Sequence, residues 1–270
     1  SVPFEIDAIF HLGACSSTTE LDADYLLQNN YHYSQELAKF AVTHRARFIY
    51  ASSAATYGDG SLGYLDDEHE LNTLRPLNMY GYSKHLFDLW IHKTGYNEEV
   101  VGLKYFNVYG PNEFHKEDMR SVVHKSFGQI METGSVKLFK SHKDGYKDGE
   151  QKRDFIYVKD AVDMTIHFYL NRTVNGLYNV GTGKSRTWVD LVTAVFNAMG
   201  KPVNIEFIDM PEHLKEKYQY FTEAKIDKIV NTGYTKEISS LEDGINDYVK
   251  NYLMTESYFC LLYTSPSPRD

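Results

Sequence analysis

Hydrophobic positions in the first half of the chain follow two alternating patterns, one typical of buried strands and one of amphipathic helices. Three short apolar runs each break into a loop of small or polar residues: IDAIFHLGA (6–14), RFIYASSAATYG (47–58) and EVVGLKYFNVYGP (99–111). The segments between them, 23–44 and 76–95, carry apolar residues at helical spacing, and Gly95 is predicted to end the second helix. Strands alternating with helices predict an α/β fold with a doubly wound parallel, Rossmann-like sheet.

The second half of the chain alternates less regularly. Strand and helix patterns return in DFIYVKDAVDMTIHFYL (154–170) and GLYNVGTGK (176–184), followed by helical patterns near 189–200, 222–231 and 240–253. We therefore expect two units: a partial dinucleotide-binding domain of residues 1–110 and 154–182, and a smaller α/β substrate domain of residues 111–153 and 183–253. Residues 254–270 have no helical periodicity and end in Ser/Pro repeats, which predicts a disordered or non-native tail.

Three polar junctions follow the first three predicted strands, at Gly13–Ser17, Ser52–Tyr57 and Asn107–Pro111. Doubly wound sheets bind ligands beyond the carboxyl ends of their strands. Right-handed crossovers would bring these ends to one rim of the sheet. The sequence therefore predicts a ligand site where the three junctions meet.

Composition and charge limit the class of partner. The net charge of −9 and the pI of about 5.7 argue against electrostatic binding to nucleic acid or to a membrane surface, while a small anionic ligand stays compatible with a locally basic pocket. The two cysteines, Cys15 and Cys260, and the histidines show no metal-binding spacing, so no metal site is expected. With no signal peptide or long apolar run in the sequence, the expected location is the cytoplasm.

The stretch MYGYSKHLFD contains the sequence's single Tyr-x-x-x-Lys match, Tyr80 and Lys84. A helix places them on one face, where an ammonium would favour the phenolate and lower the pKa of the tyrosine. Such a tyrosine can take the proton of a sugar hydroxyl, and Ser53, at the end of a predicted strand, can hydrogen-bond the same oxygen. The alternative is an exposed phenol and a solvated lysine that share a helix face by chance.

Two further groups suggest ligand contacts. The small residues Gly13–Ser16 at a strand end would let the backbone approach a cofactor closely, and Cys15 is interpreted as a small filler rather than a nucleophile. Arg153 offers a planar guanidinium that suits the phosphate groups of a ligand. Its alternative is an ion pair with Asp154 or Asp160.

Five segments, HLGACSSTTE, YASSAATYG, YGYSK, YFNVYGP and KRDFIYVKD, together resemble the extended short-chain dehydrogenase/reductase superfamily in order and spacing. Within it, GACSSTTE and NVYGPNEFHKEDM are similar to the ADP-heptose 6-epimerases. The resemblance extends over residues 6–253. It implies an isomerase that inverts C6 of an ADP-heptose by transient oxidation and re-reduction with bound NADP (or NAD), for lipopolysaccharide core precursors. It also implies a homo-oligomer.

The same resemblance implies roles for individual residues. Inversion through a ketone needs acid–base help on both faces of the carbon, which Tyr80 alone cannot supply. Lys116, in GPNEFHK, is implied as the second base, with a surface lysine on a polar loop as the alternative. The implied catalytic residues are Tyr80, Lys116, Ser53 and Lys84. The implied cofactor contacts are Leu12, Gly13, Ala14, Cys15, Ser16, Asn29, Lys84, Val108 and Lys116; for Asn29 the alternative is a helix-surface amide. The implied substrate contacts are Ser53, Asn107, Asp118, Lys125, Phe139, Lys140, Ser141, His142, Arg153 and Tyr218.

One departure from the family pattern keeps two other functions open. The family carries a Gly-x-x-Gly-x-x-Gly turn near its start, which this sequence does not contain, so we expect a sheet lacking its first strands. A nucleotide-sugar 4-epimerase or 4,6-dehydratase is one alternative, although SSAATYG lacks the acidic pair typical of a dehydratase. A catalytically inert sugar-nucleotide binder is the other.

Overall fold

The computed structural model describes residues 5–215 and 218–259, apart from the side chains of residues 213 and 214. Its strands are β1 (Ala8–His11), β2 (Arg47–Ser53), β3 (Val100–Tyr105), β4 (Asn107–Tyr109), β5 (Val136–Phe139), β6 (Lys152–Tyr157), β7 (Gly176–Val180), β8 (Ser185–Thr187) and β9 (Ile205–Ile208). Its α-helices are α1 (Ala23–Leu26), α2 (Tyr33–Thr43), α3 (Met79–Thr94), α4 (Val122–Thr133), α5 (Val158–Leu170), α6 (Trp188–Ala198), α7 (Glu212–Lys215), α8 (Asp227–Asn231) and α9 (Leu241–Tyr248). π-Helical turns at Leu27–His32 and Val249–Leu253 extend α1 and α9.

The principal sheet has four parallel strands in the order β1-β2-β3-β7. Alternate residues of β2 point to opposite faces, because side chains alternate along a strand. Phe48 belongs to a core cluster that includes Ala38 of α2 and Phe87 of α3, whereas Ile49 belongs to a cluster that includes Met164 of α5. Helices therefore cover both faces, which confirms the predicted doubly wound α/β fold.

The third predicted strand is in fact two strands in different sheets. After Tyr105 the chain leaves the principal sheet, with the Phe106 amide still donating to the Val180 carbonyl at 3.0 Å. Strand β4 pairs in parallel with β6, which pairs antiparallel with β8. The short strands β8 and β9 were not predicted. Each has at most four residues, too few for a periodic pattern to register.

A second core lies around β6, formed by helices α4, α6 and α9. Its members include Ile130, Leu191 and Ile245, each at most 1% exposed. Part of the predicted tail also contacts this region: Phe259 exchanges two 2.9 Å hydrogen bonds with the side chain of Asn112. Residues 260–270, with Cys260, lie outside the described residues. No helix in the described ranges has both the length and the apolar character needed to cross a membrane.

Candidate active site

A cavity of about 470 Å³ lies beyond the carboxyl ends of β1 and β2. All three predicted junctions contribute to its walls, through residues 14–16, 51–53 and 107–109. Helix α3 adds Tyr80 and Lys84, and the loop after β4 adds five residues, Glu113, Lys116, Met119, Arg120 and Ser121. The predicted site residues that line it are Leu12, Ala14, Cys15, Ser16, Ser53, Tyr80, Lys84, Asn107, Val108 and Lys116.

Ser53 and Tyr80 meet at the wall of this cavity. Ser53 is the last residue of β2, and Tyr80 lies in the first turn of α3, where Asn78 caps the helix by accepting from the Gly81 amide at 2.7 Å. The Ser53 side chain lies close enough to the Tyr80 hydroxyl to influence its pKa. Burial raises the pKa of Tyr80, while the Ser53 side chain acts to lower it. The sequence predicted that Lys84 would lower the pKa of Tyr80. That prediction is wrong, because desolvation of the phenol is the largest effect and raises its pKa.

Lys84 lies one turn further along α3 and is 7% exposed. Its Nζ donates to the Ala51 carbonyl oxygen at 2.9 Å, which ties α3 to β2 below the cavity. Burial lowers the pKa of Lys84 to about 8, although the charge of Asp88 raises it. A lysine in this state can exchange its proton near neutral pH.

The loop after β1 is held by Asn30, which sequence reasoning missed. The Cys15 amide donates to Asn30 Oδ1 at 2.9 Å, and Asn30 Nδ2 donates to the Cys15 carbonyl and to Ser83 Oγ, both at 2.9 Å. Asn29, the predicted cofactor contact, is half-buried and donates to the Tyr25 carbonyl at 2.7 Å. The role of Asn29 in cofactor binding stays a prediction. The π-helical turn at Leu27–His32 changes the helical phase, so that the neighbouring amide is the buried one.

A second cavity of about 360 Å³ shares Ser53, Tyr80 and Asn107 with the first and adds Arg153 and Tyr218. The guanidinium carbon of Arg153 lies 5.2 Å from the centre of the Tyr218 ring, and 5.7 Å from that of Trp188. Trp188 donates to the Tyr218 hydroxyl at 2.9 Å. The arginine is thus oriented between two aromatic rings at the edge of the cavity.

The carboxylates offered as alternative partners of Arg153 are engaged elsewhere. Asp154 accepts from Thr182, Gly183 and Ala224, with distances of 2.8–3.0 Å. Asp160 accepts from the amide and hydroxyl of Ser239 at 3.1 and 3.2 Å. The predicted alternative, an ion pair between Arg153 and either aspartate, is therefore wrong.

Lys125 and Phe139 line a third cavity of about 550 Å³, which Tyr218 joins to the second. Five other predicted contacts, Gly13, Asp118, Lys140, Ser141 and His142, line none of these three cavities in the described part of the chain. Lys140 pairs with Asp209 at 3.2 Å, and the His142 amide donates to the Tyr220 hydroxyl at 2.9 Å. Asp118 contributes its carbonyl oxygen, which accepts from Lys125 Nζ at 2.5 Å. These residues hold the loops around the site, and the structure does not bring them into it.

Lys116 is exposed at the wall of the first cavity, within the 3₁₀-helical segment Phe114–Met119. Glu117, the next residue, has φ 46° and ψ −119°, a conformation that L-residues rarely adopt. Strain of this kind persists only where the surroundings hold it. Glu113, another residue that the sequence did not single out, anchors the segment: its carboxylate accepts from the Ser121 amide at 2.8 Å and from the Tyr248 hydroxyl at 2.8 Å.

The fold and this site define an α/β enzyme of the dehydrogenase/reductase type, with a serine, a tyrosine and a lysine at the edge of a parallel sheet. Residues 2–181 match the family model described as the NAD dependent epimerase/dehydratase family. The chain belongs to that family, and the predicted superfamily resemblance is confirmed.

Individual relatives show which members of this family the chain is similar to. A protein of Nitratidesulfovibrio vulgaris strain DP4, named ADP-L-glycero-D-manno-heptose-6-epimerase, is 55% identical over 96% of this chain and 80% of its own length. A protein of the same name from Fusobacterium nucleatum is 51% identical over 94% of this chain and 79% of its own. The crystal structure of ADP-L-glycero-D-manno-heptose-6-epimerase from Helicobacter pylori superposes with a TM-score of 0.78 at 32% identity, covering 92% of this chain and 73% of that one.

A 4-epimerase superposes equally well. The UDP-N-acetylglucosamine 4-epimerase of Methanobrevibacter ruminantium has a TM-score of 0.79, but only 24% identity, over 93% of this chain and 77% of its own. At that identity the likeness shows the fold alone. The shared fold therefore does not separate 6-epimerases from 4-epimerases, whereas the relatives above 50% identity carry the heptose name.

Proposed function

We propose that this protein is an ADP-L-glycero-D-manno-heptose 6-epimerase that works with a tightly bound nicotinamide cofactor, NADP in preference to NAD. The observation that carries the proposal is that Tyr80 and Lys116 line one cavity although they come from different elements. Two acid–base groups around one cavity are what an inversion through a ketone requires. The heptose itself comes from the names of the relatives at 51–55% identity.

The residues present fit a nicotinamide cofactor. Ala14, Cys15 and Ser16 line the cavity with small side chains, and Asn30 holds the backbone of this loop in place. Lys84 adds a buried cation at the cavity wall, suited to hydroxyl groups of a ribose. When bound, the cofactor supplies the hydride acceptor and donor for the reaction.

Tyr80 and Lys116 divide the proton transfers between them. Because burial raises the pKa of Tyr80, its phenol is protonated near neutral pH and is suited to protonate a ketone oxygen as that ketone is reduced. In its free amine form, Lys116 can accept the hydroxyl proton during oxidation, from the other side of the sugar. In the reverse direction the two roles exchange. Ser53, whose side chain influences the Tyr80 pKa, is placed to hydrogen-bond the same substrate oxygen.

Arg153 and Tyr218 are proposed to bind the nucleotide-sugar diphosphate in the second cavity. Nη1 and Nη2 of Arg153 each donate to a backbone carbonyl, of Lys152 and Gln219, and the guanidinium lies near the Trp188 and Tyr218 rings. Its remaining N–H groups can donate to phosphate oxygens. Asn107 lines both cavities and can reach the sugar between them. Lys125 and Phe139, in the third cavity, would contact more distant parts of the substrate.

Four broader proposals accompany the activity. We keep the division into a dinucleotide-binding unit of residues 1–110 and 154–182 and a substrate unit of residues 111–153 and 183–253. We also propose that the protein acts in the cytoplasm, as a homo-oligomer, in the supply of lipopolysaccharide core precursors.

The test is conversion between the two C6 epimers of ADP-glycero-manno-heptose, followed by NMR with the purified chain and added NADP. UDP-galactose serves as the parallel substrate for a 4-epimerase. Turnover of the heptose alone is the expected result. Turnover of UDP-galactose alone would favour the 4-epimerase, and binding of ADP-heptose without turnover of either sugar would favour an inert binder.

A further inference from the structure

A buried ion pair lies directly behind the proposed active site. Asp88, on α3 one turn beyond Lys84, and Lys104, on β3, are each 1% exposed, and Lys104 Nζ lies 3.3 Å from Asp88 Oδ2. Neither residue lines the first or the second cavity. A ligand in those cavities therefore does not account for the pair.

The pair is connected to the end of β2 by two routes. Asp88 accepts from the Ser52 hydroxyl at 2.6 Å and from the Tyr50 hydroxyl at 3.0 Å. Lys104 donates to Thr56 Oγ1 at 2.5 Å, and that hydroxyl in turn donates to the Ser53 carbonyl at 2.8 Å. The backbone on both sides of the Ser53 side chain is thus held by one buried network.

The same network reaches the other reacting groups through α3. Tyr80, Lys84 and Asp88 are spaced four residues apart and share one face of the helix. Lys84 Nζ donates to the Ala51 carbonyl, next to Ser52, which donates to Asp88. Three consecutive residues of β2 are therefore joined to α3, either directly or through the ion pair.

We propose that the Asp88–Lys104 pair positions the catalytic groups, by holding α3 in register with the end of β2 and by supporting the ammonium form of Lys84. The inference rests on the proposed function only in treating Ser53, Tyr80 and Lys84 as the reacting groups. Asp88 and Lys104 are positioning residues, since they touch neither cavity.

Energetics favour positioning over simple stabilisation. Burying two charges costs several kcal/mol each by general experience, and replacing such a pair with apolar groups is often neutral or stabilising. Removing one partner, in contrast, leaves a buried charge uncompensated and is strongly destabilising. If the pair served only stability, apolar replacement of both residues should leave the activity unchanged. If the pair positions the catalytic groups, the same replacement should lower the activity.

Several titratable groups face Lys84 and bear on its charge. Asp88 lies on the same helix and Cys15 on the loop after β1. Lys104, on β3, is the ion-pair partner of Asp88. His11, at the end of β1, has its pKa lowered to about 4 by burial and by the charge of Lys84, so it is neutral around pH 7. Asp88 is the anion among these neighbours. Replacing it by Asn leaves Lys104 as an uncompensated cation, which disfavours the Lys84 ammonium.

The first experiment is an NMR titration of protein labelled with [ε-¹³C]lysine, without substrate or cofactor, in which Lys84→Arg assigns the Lys84 signal. Asp88→Asn is expected to move the Lys84 titration down by about one pH unit, because it removes the carboxylate that raises the pKa of Lys84. Asp160→Asn is the matched control: Asp160 is also buried and accepts from Ser239 on another part of the fold. It is expected to leave the Lys84 titration unchanged. An unchanged titration in Asp88→Asn would overturn the proposed support of the ammonium.

The second experiment separates positioning from stability with the double variant Asp88→Leu/Lys104→Met. We expect a lower thermal midpoint, because the Tyr50 and Ser52 hydroxyls lose their buried acceptor, and kcat for epimerisation is expected to fall at least tenfold at a temperature where circular dichroism shows the variant folded; Lys104→Arg, which keeps the cation, is expected to retain most of the kcat. Wild-type kcat in the double variant would overturn the proposed register role. Because the titration needs no substrate, a chain inactive on ADP-heptose would refute the proposed function without affecting that result.

Discussion

Lys84 donates a 2.9 Å hydrogen bond to the backbone carbonyl of Ala51, two residues before Ser53. The bond joins the helix that carries Tyr80 to the strand that carries Ser53, so that the three proposed reacting groups share one anchor. A neutral carbonyl stabilises an ammonium less than a carboxylate does. This is why burial lowers the pKa of Lys84 to about 8 although Asp88 is nearby.

The pH dependence of the reaction should follow this lysine. If the ammonium form supports catalysis, kcat/KM should fall as the pH rises through about 8. Lys84→Arg should move this alkaline limit upward, because a guanidinium stays charged. An alkaline limit that is the same in both proteins would contradict the assignment.

The free energy of unfolding should rise with pH, whereas kcat/KM should fall as the pH rises. Between pH about 8 and the ordinary pKa of 10.5, the folded chain has released the Lys84 proton while the unfolded chain keeps it. The free energy of unfolding contributed by Lys84 should therefore rise with pH in this window. Urea denaturation of the wild type and of Lys84→Met at several pH values measures the difference, which should be flat below about pH 8.

Replacing Tyr80 by Phe should abolish most of the activity without unfolding the protein. Loss of a positioned acid–base group reduces the rate by about 100- to 10,000-fold. Tyr82→Phe is the matched control, since Tyr82 lies on the same helix with 45% of its surface exposed. Steady-state kinetics of both variants check the expectation, and equal losses in the two would refute a special role for Tyr80.

Lys116→Met should also reduce kcat by about 100-fold or more, because inversion needs acid–base help on both faces of the carbon. The control is Lys93→Met, in the last turn of α3 and outside the three cavities. Lys116 is exposed, so thermal midpoints should hardly differ between the two variants and the wild type. Undiminished epimerisation by Lys116→Met would disprove the two-base assignment.

Arg153→Lys should raise KM for the nucleotide sugar more than it lowers kcat. An ammonium cannot reproduce the bidentate contact of a guanidinium with a diphosphate. Each hydrogen bond to a charged group contributes about 1.5–3 kcal/mol. Arg172→Lys, on an exposed arginine paired with Asp7, is the control and should leave both constants unchanged. A fall in kcat at constant KM would place Arg153 in the chemical step instead.

Two glycine substitutions should have opposite effects on stability. A Cβ on Gly102 would lie 2.4 Å from the Tyr50 hydroxyl, the group that donates to Asp88. Gly102→Ala should therefore destabilise the protein, by about 1–3 kcal/mol for an overpacked core. A Cβ on Gly128, inside α4, would meet no atom within 4 Å, and Gly128→Ala should stabilise by up to about 1 kcal/mol. Chemical denaturation of both variants measures the two signs.

Local signals in the sequence predicted much of the fold. Gly95 ends α3 with φ 77°, a conformation in which glycine has no steric cost, so the helix end was predictable from one residue. The single pattern of 99–111 did not reveal that the chain changes sheets after Tyr105. An extended backbone has the same side-chain alternation whichever strand it pairs with, and the pairing of β4 with β6 depends on a segment far along the chain.

The sequence by itself determined the alternation of strands and helices, the rim where the strand ends meet, and the motifs that brought Tyr80, Ser53 and Lys116 together as candidates. These follow from local periodicity and from residue types that chemistry requires. Only the tertiary structure decided that Asn30 rather than Asn29 holds the loop after β1, that burial governs the pKa of Tyr80, and that Asp88 and Lys104 form a pair behind the site. Each of these depends on desolvation or on contacts between distant segments, which arise when the chain packs and have no periodic trace along it.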